Sequence, residues 1–84
     1  MVGSFNKEMA IEEIRENIAT ILIVERKKRG LKQKELANMA GVAEKTIYQL
    51  ENFHGNPTLK TIDRLAKALN LGIEDFLNKE RESK

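Results

Sequence analysis

Eighty-four residues with a net charge of +2, a pI near 9.0 and no cysteine describe one small domain without disulfides or a thiolate metal site. A chain this short buries only about 60% of its unfolded surface, so helix packing, helped by dimerisation, has to stabilise it. No apolar run nears the ~20 residues of a membrane span and the first residues lack a signal-peptide core, which predicts a cytoplasmic protein with no membrane partner.

Residues 1–10 form an N-terminal extension. Val2, Phe5 and Met9 stand there with Lys7 as the only basic side chain. One charge grips phosphates poorly, so a helix extension or packing strap suits this segment better than a DNA-clasping arm. The domain proper is predicted over residues 11–77. Ile11 to Arg29 reads as a long first helix, in which Ile11, Ile14, Ile18, Ile21 and Leu22 share about a third of the circumference, the width of a core-facing stripe. Ile23 and Val24 fall outside that stripe; they are either scattered surface residues or contacts for residues 1–10 or a second subunit. Arg26-Lys27-Lys28-Arg29 complements the dipole of the last turn, and Gly30 supplies the residue after the cap.

A second helix starts at Leu31–Glu35 and carries Leu36, Ala37 and Ala40 on one face. Gly41 can take the positive φ of a tight turn, and Ala37 is small enough for two helices to cross closely. Ala43 to Asn52 forms a third helix. With Ile47 and Leu50 inward and Val42 beneath the crossing, Lys45, Tyr48, Gln49 and Asn52 face the other way, while Glu44 lies to the side in the first turn. This is the spacing of a helix-turn-helix, whose second helix enters the DNA major groove. On this stretch alone, any helical hairpin with a turn glycine fits too.

Phe53-His54-Gly55-Asn56-Pro57 is a loop, and His54, the sole histidine, has no second ligand nearby for a metal. Thr58 caps a fourth helix with a stripe of Leu59, Ile62, Leu65, Ala66 and Leu69, which Asn70 can end in a left-handed turn. Gly72 precedes a short fifth helix with Glu74 and Asp75 in its first turn and Ile73, Phe76 and Leu77 as apolar residues. Residues 78–84 are a charged C-terminal tail that frays.

Arg26 through Ala37, Ala40-Gly41-Val42, Thr46-Ile47, Leu50-Glu51-Asn52, Asn56-Pro57-Thr58-Leu59 and Leu65 through Leu69 fall in one order. That run, over about residues 18–77, resembles the Cro-type, lambda-repressor-like helix-turn-helix DNA-binding domain. The resemblance implies an all-α, compact five-helix fold with the helix-turn-helix formed by helices 2 and 3. It also implies a structural ion pair between Arg26 and Glu51, and a DNA-backbone contact at Gln33.

Three departures stand out. Lys32 replaces the usual Ser or Thr cap of helix 2; lysine cannot cap, but a phosphate at that helix end would complete it. Ala43 replaces a hydroxyl cap. Phe53 stands where the family commonly has Gly, and a left-handed conformation is costly for Phe, which puts the loop path in question.

The chemistry of the third helix suggests base readout by Glu44, Lys45, Tyr48 and Gln49. Lys45 can donate to guanine, Gln49 can pair with adenine, and Glu44 can accept from cytosine or merely complement the helix N-terminus. Lys32, Gln33 and Asn52 are candidate backbone contacts. Phe53, Leu71, Ile73, Phe76 and Leu77 are candidate dimer contacts, with Ile23, Val24 and the Phe5 segment as the rival surface. Residues 31–55 hold three basic and three acidic side chains, so any positive footprint must come from arrangement.

The function this predicts is a sequence-specific transcriptional regulator, a repressor, binding a palindromic operator in double-stranded DNA as a homodimer. A restriction–modification controller and an antitoxin, the latter with a toxin protein as partner, share this architecture; outside the class stands a protein-binding adaptor. No paired-carboxylate site, activated nucleophile, phosphate loop or metal spacing points to an enzyme, a cofactor or a metal.

Overall fold

Four of the five helices end in the same way, and that repeated ending sets the path of the chain. The computed structural model describes residues 7–77, with side chains from Ile11 onward; the expectations for residues 1–6 and for the tail at 78–84 lie outside it. Its helices are α1 (Lys7–Lys28), α2 (Gln33–Ala40), α3 (Glu44–Glu51), α4 (Leu59–Ala68) and α5 (Ile73–Leu77). After α1, α2, α3 and α4 the chain turns at Gly30, Gly41, Phe53 and Asn70, with φ of 67°, 74°, 64° and 60°. In each turn the next residue's N–H reaches back five residues: Leu31 to the Arg26 carbonyl, Val42 to Ala37, His54 to Gln49 and Leu71 to Ala66. These are Schellman caps, which need a left-handed residue at the turn. Glycine and asparagine enter that region readily and phenylalanine does not. The chain thus keeps the backbone conformation of the glycine that Phe53 replaces.

The core gathers under the crossing of α2 and α3. α1 packs against α3 and α5, α2 against α3 and α4, and α4 against α5. Ile18, Ile21 and Leu22 of α1, Leu36, Ala37 and Ala40 of α2, and Ile47 and Leu50 of α3 are buried together, with Ile62, Leu65 and Ala66 of α4 and Leu69 just after it closing the far side. Val42 packs at the edge of this cluster. Among the described residues all regular structure is helical.

The helical stripes overreach the core at two places. α1 begins at Lys7 rather than Ile11, and its 22 residues outreach partners of 5 to 10 residues. Ile11 therefore extends past the bundle and is 51% exposed rather than buried. Leu59, the first residue of α4, is 68% exposed for the same reason: it emerges from the loop before another helix covers it. Phe76 departs the other way. It is wholly buried, filling the space where α5 lies across α1 and α4, and so has no surface left to offer a second copy. The dimer role expected of Phe76 is thereby corrected to a core role.

Candidate nucleic-acid interface

The orientation of α3 is fixed from behind by one buried carboxylate. Glu51, at the end of α3, is 8% exposed. Its Oε2 accepts from Arg26 Nε at 2.7 Å and its Oε1 from Arg26 Nη2 at 2.9 Å, the two-pronged geometry that makes arginine–carboxylate pairs strong. Gln33 Nε2 donates a third bond to Oε1 at 2.9 Å, and Arg26 Nη1 donates to the Leu31 carbonyl at 2.8 Å. The Glu51 hydrogen bond, with the coulombic attraction behind it, holds the Arg26 guanidinium above its ordinary pKa despite burial. An ion pair this sheltered costs several kcal/mol to break from one side, because the remaining charge has no water to turn to. The end of α1, the start of α2 and the end of α3 thus meet at one point.

With its back pinned, α3 turns a polar face outward. Glu44, Lys45 and Tyr48 are exposed and Gln49 is half-buried. Asn52, exposed after the last turn, donates from Nδ2 to the Tyr48 carbonyl at 2.8 Å. Beside this face lies an open cleft of about 180 Å³, lined by Thr46 and Gln49 of α3, Asn56 and Pro57 of the loop, and Thr58 and Thr61 of α4. Thr58 caps α4 through Oγ1, which accepts from the Thr61 N–H at 3.1 Å. At the head of α2, Lys32 sits at the cap position and its side chain accepts nothing; Glu35 reaches back to the Lys32 N–H at 2.8 Å, so one side of the cap is satisfied and the other is not. Ala43 likewise gives α3 no side-chain cap.

Residues 23–76 match the family designated HTH_3, helix-turn-helix. The chain belongs to this helix-turn-helix family. Its members are DNA-binding regulators rather than enzymes. Two proteins of Archaeoglobus fulgidus, each described as an uncharacterized HTH-type transcriptional regulator, are 42% and 41% identical to it over 51 residues, which is 61% of this chain and 73% and 72% of theirs. Among solved structures, an HTH_3 family transcriptional regulator from Vibrio cholerae aligns with a TM-score of 0.73 at 26% identity, over 84% of this chain but only 41% of its own. A chain of a SinR protein/SinI protein complex aligns at 0.70 and 26% identity, over 80% of this chain and 66% of its own.

In helix-turn-helix terms, α2 and α3 are the motif and Lys7–Leu22 of α1 precedes the matched segment. Three contacts of this helix-turn-helix domain escape sequence reading because each joins distant segments. Arg15 Nη2 donates to Asn56 Oδ1 at 2.8 Å, tying α1 to the loop after α3. Asn17 Nδ2 donates to the Phe76 carbonyl at 2.6 Å, closing the end of α5. Arg29 donates to the Leu69 carbonyl at the end of α4 and to Glu25 of its own helix. Glu25 is 6% exposed, and the Arg29 hydrogen bond, helped by Lys28 and opposed by burial, holds its carboxyl below the usual glutamate range. The i, i+4 spacing of Glu25 and Arg29 is the one signal of these contacts that the sequence carries. No group of three His, Cys, Asp or Glu among the described residues could hold a metal, and no described helix is long and apolar enough to cross a membrane.

Proposed function

We propose that this chain is a sequence-specific transcriptional regulator that reads the DNA major groove with α3 and works as a homodimer on a palindromic operator. The observation that carries this reading is the geometry of α3: its last residue is locked by Arg26 and Gln33, while Glu44, Lys45 and Tyr48 stand exposed on a short, rigid helix with Gln49 beside them. A two-turn helix held at one end presents its side chains at fixed angles, as base-edge hydrogen bonding requires. Lys32, Gln33 and Asn52 are the proposed backbone contacts, and the lack of an N-cap side-chain acceptor at both α2 and α3 favours phosphate nearby. Repression by occupying the operator in the cytoplasm is the sign of regulation we adopt, since it needs only bound protein. The relatives' description as transcriptional regulators supports the class.

The test is selection of a preferred duplex from random sequence, followed by binding measurements. Gln49→Ala is expected to lower affinity for the selected duplex by about 1–3 kcal/mol while hardly changing that for random DNA. A uniform loss reassigns Gln49 to the backbone. The motif's balanced charge, and a structural neighbour solved as a complex of two proteins, favour a second reading as a protein-binding adaptor. Failure to select any duplex at moderate salt would establish that reading over the first.

A further inference from the structure

Asn56 stands in the loop that follows α3, and the side chain that holds it comes from 41 residues away. Arg15 Nη2 of α1 donates to Asn56 Oδ1 at 2.8 Å, and among the described residues this is the only hydrogen bond made by residues 55–57. Arg15 lies in the part of α1 that precedes the segment matching the helix-turn-helix family. The same loop is pressed against Gln49. A β-carbon built on Gly55 would stand 3.7 Å from both Cβ and Oε1 of Gln49, so the loop backbone lies beside both ends of that side chain. The His54 N–H donates to the Gln49 carbonyl at 2.7 Å. Gly55 and Pro57 line the crevice beside Arg15 and also the cleft beside Gln49, so one short stretch of backbone borders both side chains.

We propose that Arg15 is a positioning residue for the base contact of Gln49: by holding Asn56 it keeps Gly55 against the Gln49 amide and so sets the plane in which that amide meets a base. The inference rests on the DNA-binding reading above and deepens it. A glutamine pairs with adenine through its oxygen and nitrogen together, so the rotation of the amide decides whether both bonds form. The last torsion of a glutamine side chain is broad and has little preference of its own, which leaves a neighbour to set it.

Glu44 and Lys45 line neither the crevice nor the cleft. The effect of Arg15 therefore falls on the base pair that Gln49 reads and not on the others. An arginine that gripped phosphate would behave differently, since its loss weakens every duplex alike and makes the salt dependence shallower. A merely structural tie would lower stability without touching one base pair more than another.

The experiment measures binding of the full chain and its Arg15→Met, Asn56→Ala and Asn56→Asp variants to the selected duplex and to duplexes changed at one base pair at a time, after thermal melts confirm that each protein is folded. The pair whose discrimination Gln49→Ala removes is the one Gln49 reads. Methionine keeps an apolar stem in the crevice without donors, and aspartate keeps an acceptor for Arg15. Arg15→Met and Asn56→Ala are expected to lower discrimination at that pair about threefold to tenfold, the range usual for coupling through packed side chains, and to leave it unchanged elsewhere. Asn56→Asp should retain it, although the added charge weakens binding to every duplex. In a Gln49→Ala background, Arg15→Met should change nothing further at that pair. If Arg15→Met does not fold, Asn56→Ala in the exposed loop carries the same test. Unchanged discrimination, an equal loss at all pairs, or a uniform loss with a shallower salt dependence overturns the proposal and leaves the DNA-binding reading intact. So does a Gln49→Ala loss that no single base pair accounts for. A wild-type chain that prefers no duplex overturns both.

Discussion

Phe53 holds a left-handed backbone although the residue is 53% exposed and stands outside the buried core. For a residue with a Cβ that conformation costs roughly 1–2 kcal/mol, and the ring's partial burial beside Arg15 and Ile18 offsets only part of it. Replacement by glycine removes the strain but loosens the unfolded chain, which returns part of the gain. We expect Phe53→Gly to raise stability by about 0.5–1 kcal/mol in urea unfolding. A loss instead would mean that the aromatic ring packs more tightly than its exposure indicates. Glu25 makes a second prediction at this scale. The Arg29 hydrogen bond holds its folded-state value below the ordinary 4.5, so the stabilisation is fully present above that pH and is lost as pH falls through the lower folded value. Glu25→Gln should therefore cost about 1–2 kcal/mol near neutral pH and flatten the decline in stability below about pH 4.5. An identical acid slope in wild type and variant would remove Glu25 from the account.

Lys32 sets the question at the level of elements. It stands where a helix of eight residues wants a hydroxyl, and its own cation opposes the dipole. Lys32→Ser should stabilise the fold by about 1 kcal/mol and weaken binding to every DNA sequence alike, with a shallower salt dependence. Stronger or unchanged binding in the serine variant would place Lys32 away from phosphate. The helices themselves were largely legible in the sequence, and the reason is local. Gly30, Gly41 and Asn70 mark three of the four Schellman turns, and stripes at helical spacing mark the faces between them. Periodicity says which face a residue is on but not whether anything lies opposite, which is why Ile11 and Leu59 belong to core-facing stripes and yet are exposed. Phe76 escapes sequence reading for the converse reason: five residues of α5 show no periodicity, and only the packing of α5 on both α1 and α4 reveals the gap its ring fills. At the candidate site, the outward residues of α3 could be named from the inward ones. The bonds from Arg15 to Asn56 and from Gln33 to Glu51 could not, since 41 and 18 residues separate the partners.

At the scale of the whole molecule, one protomer offers one short recognition helix on a motif of balanced charge. That is too little for tight binding at physiological salt, where affinity follows the number of phosphates neutralised. Two copies related by a two-fold axis double both terms and would read half-sites about one helical turn apart. With Phe76 buried, the remaining candidates for that contact are Phe53 and Leu77, both exposed, and Leu71 and Ile73, both half-buried against the core. Phe53 lines a small crevice with Arg15 and Ile18 of α1, and Asn17 of the same helix holds the carbonyl next to Leu77. The crevice beside Phe53 and the carbonyl before Leu77 thus both meet residues 15–18 of α1. A partner's apolar surface there would also account for the strain retained at Phe53, because burial across an interface can offset what burial within the protomer does not. The competing surface is the outer side of α1, where Val24 is 49% exposed and Ile23 half-buried. A buried aspartate in a dimer contact is costly, whereas on free surface it is nearly neutral. Sedimentation of Phe53→Asp and Ile23→Asp then decides: the expected outcome is a monomer for Phe53→Asp and a dimer for Ile23→Asp, with the first variant binding its operator more weakly in proportion. The reverse pattern moves the interface to α1, and a wild-type chain that stays monomeric at tens of micromolar and on its operator removes the dimer altogether.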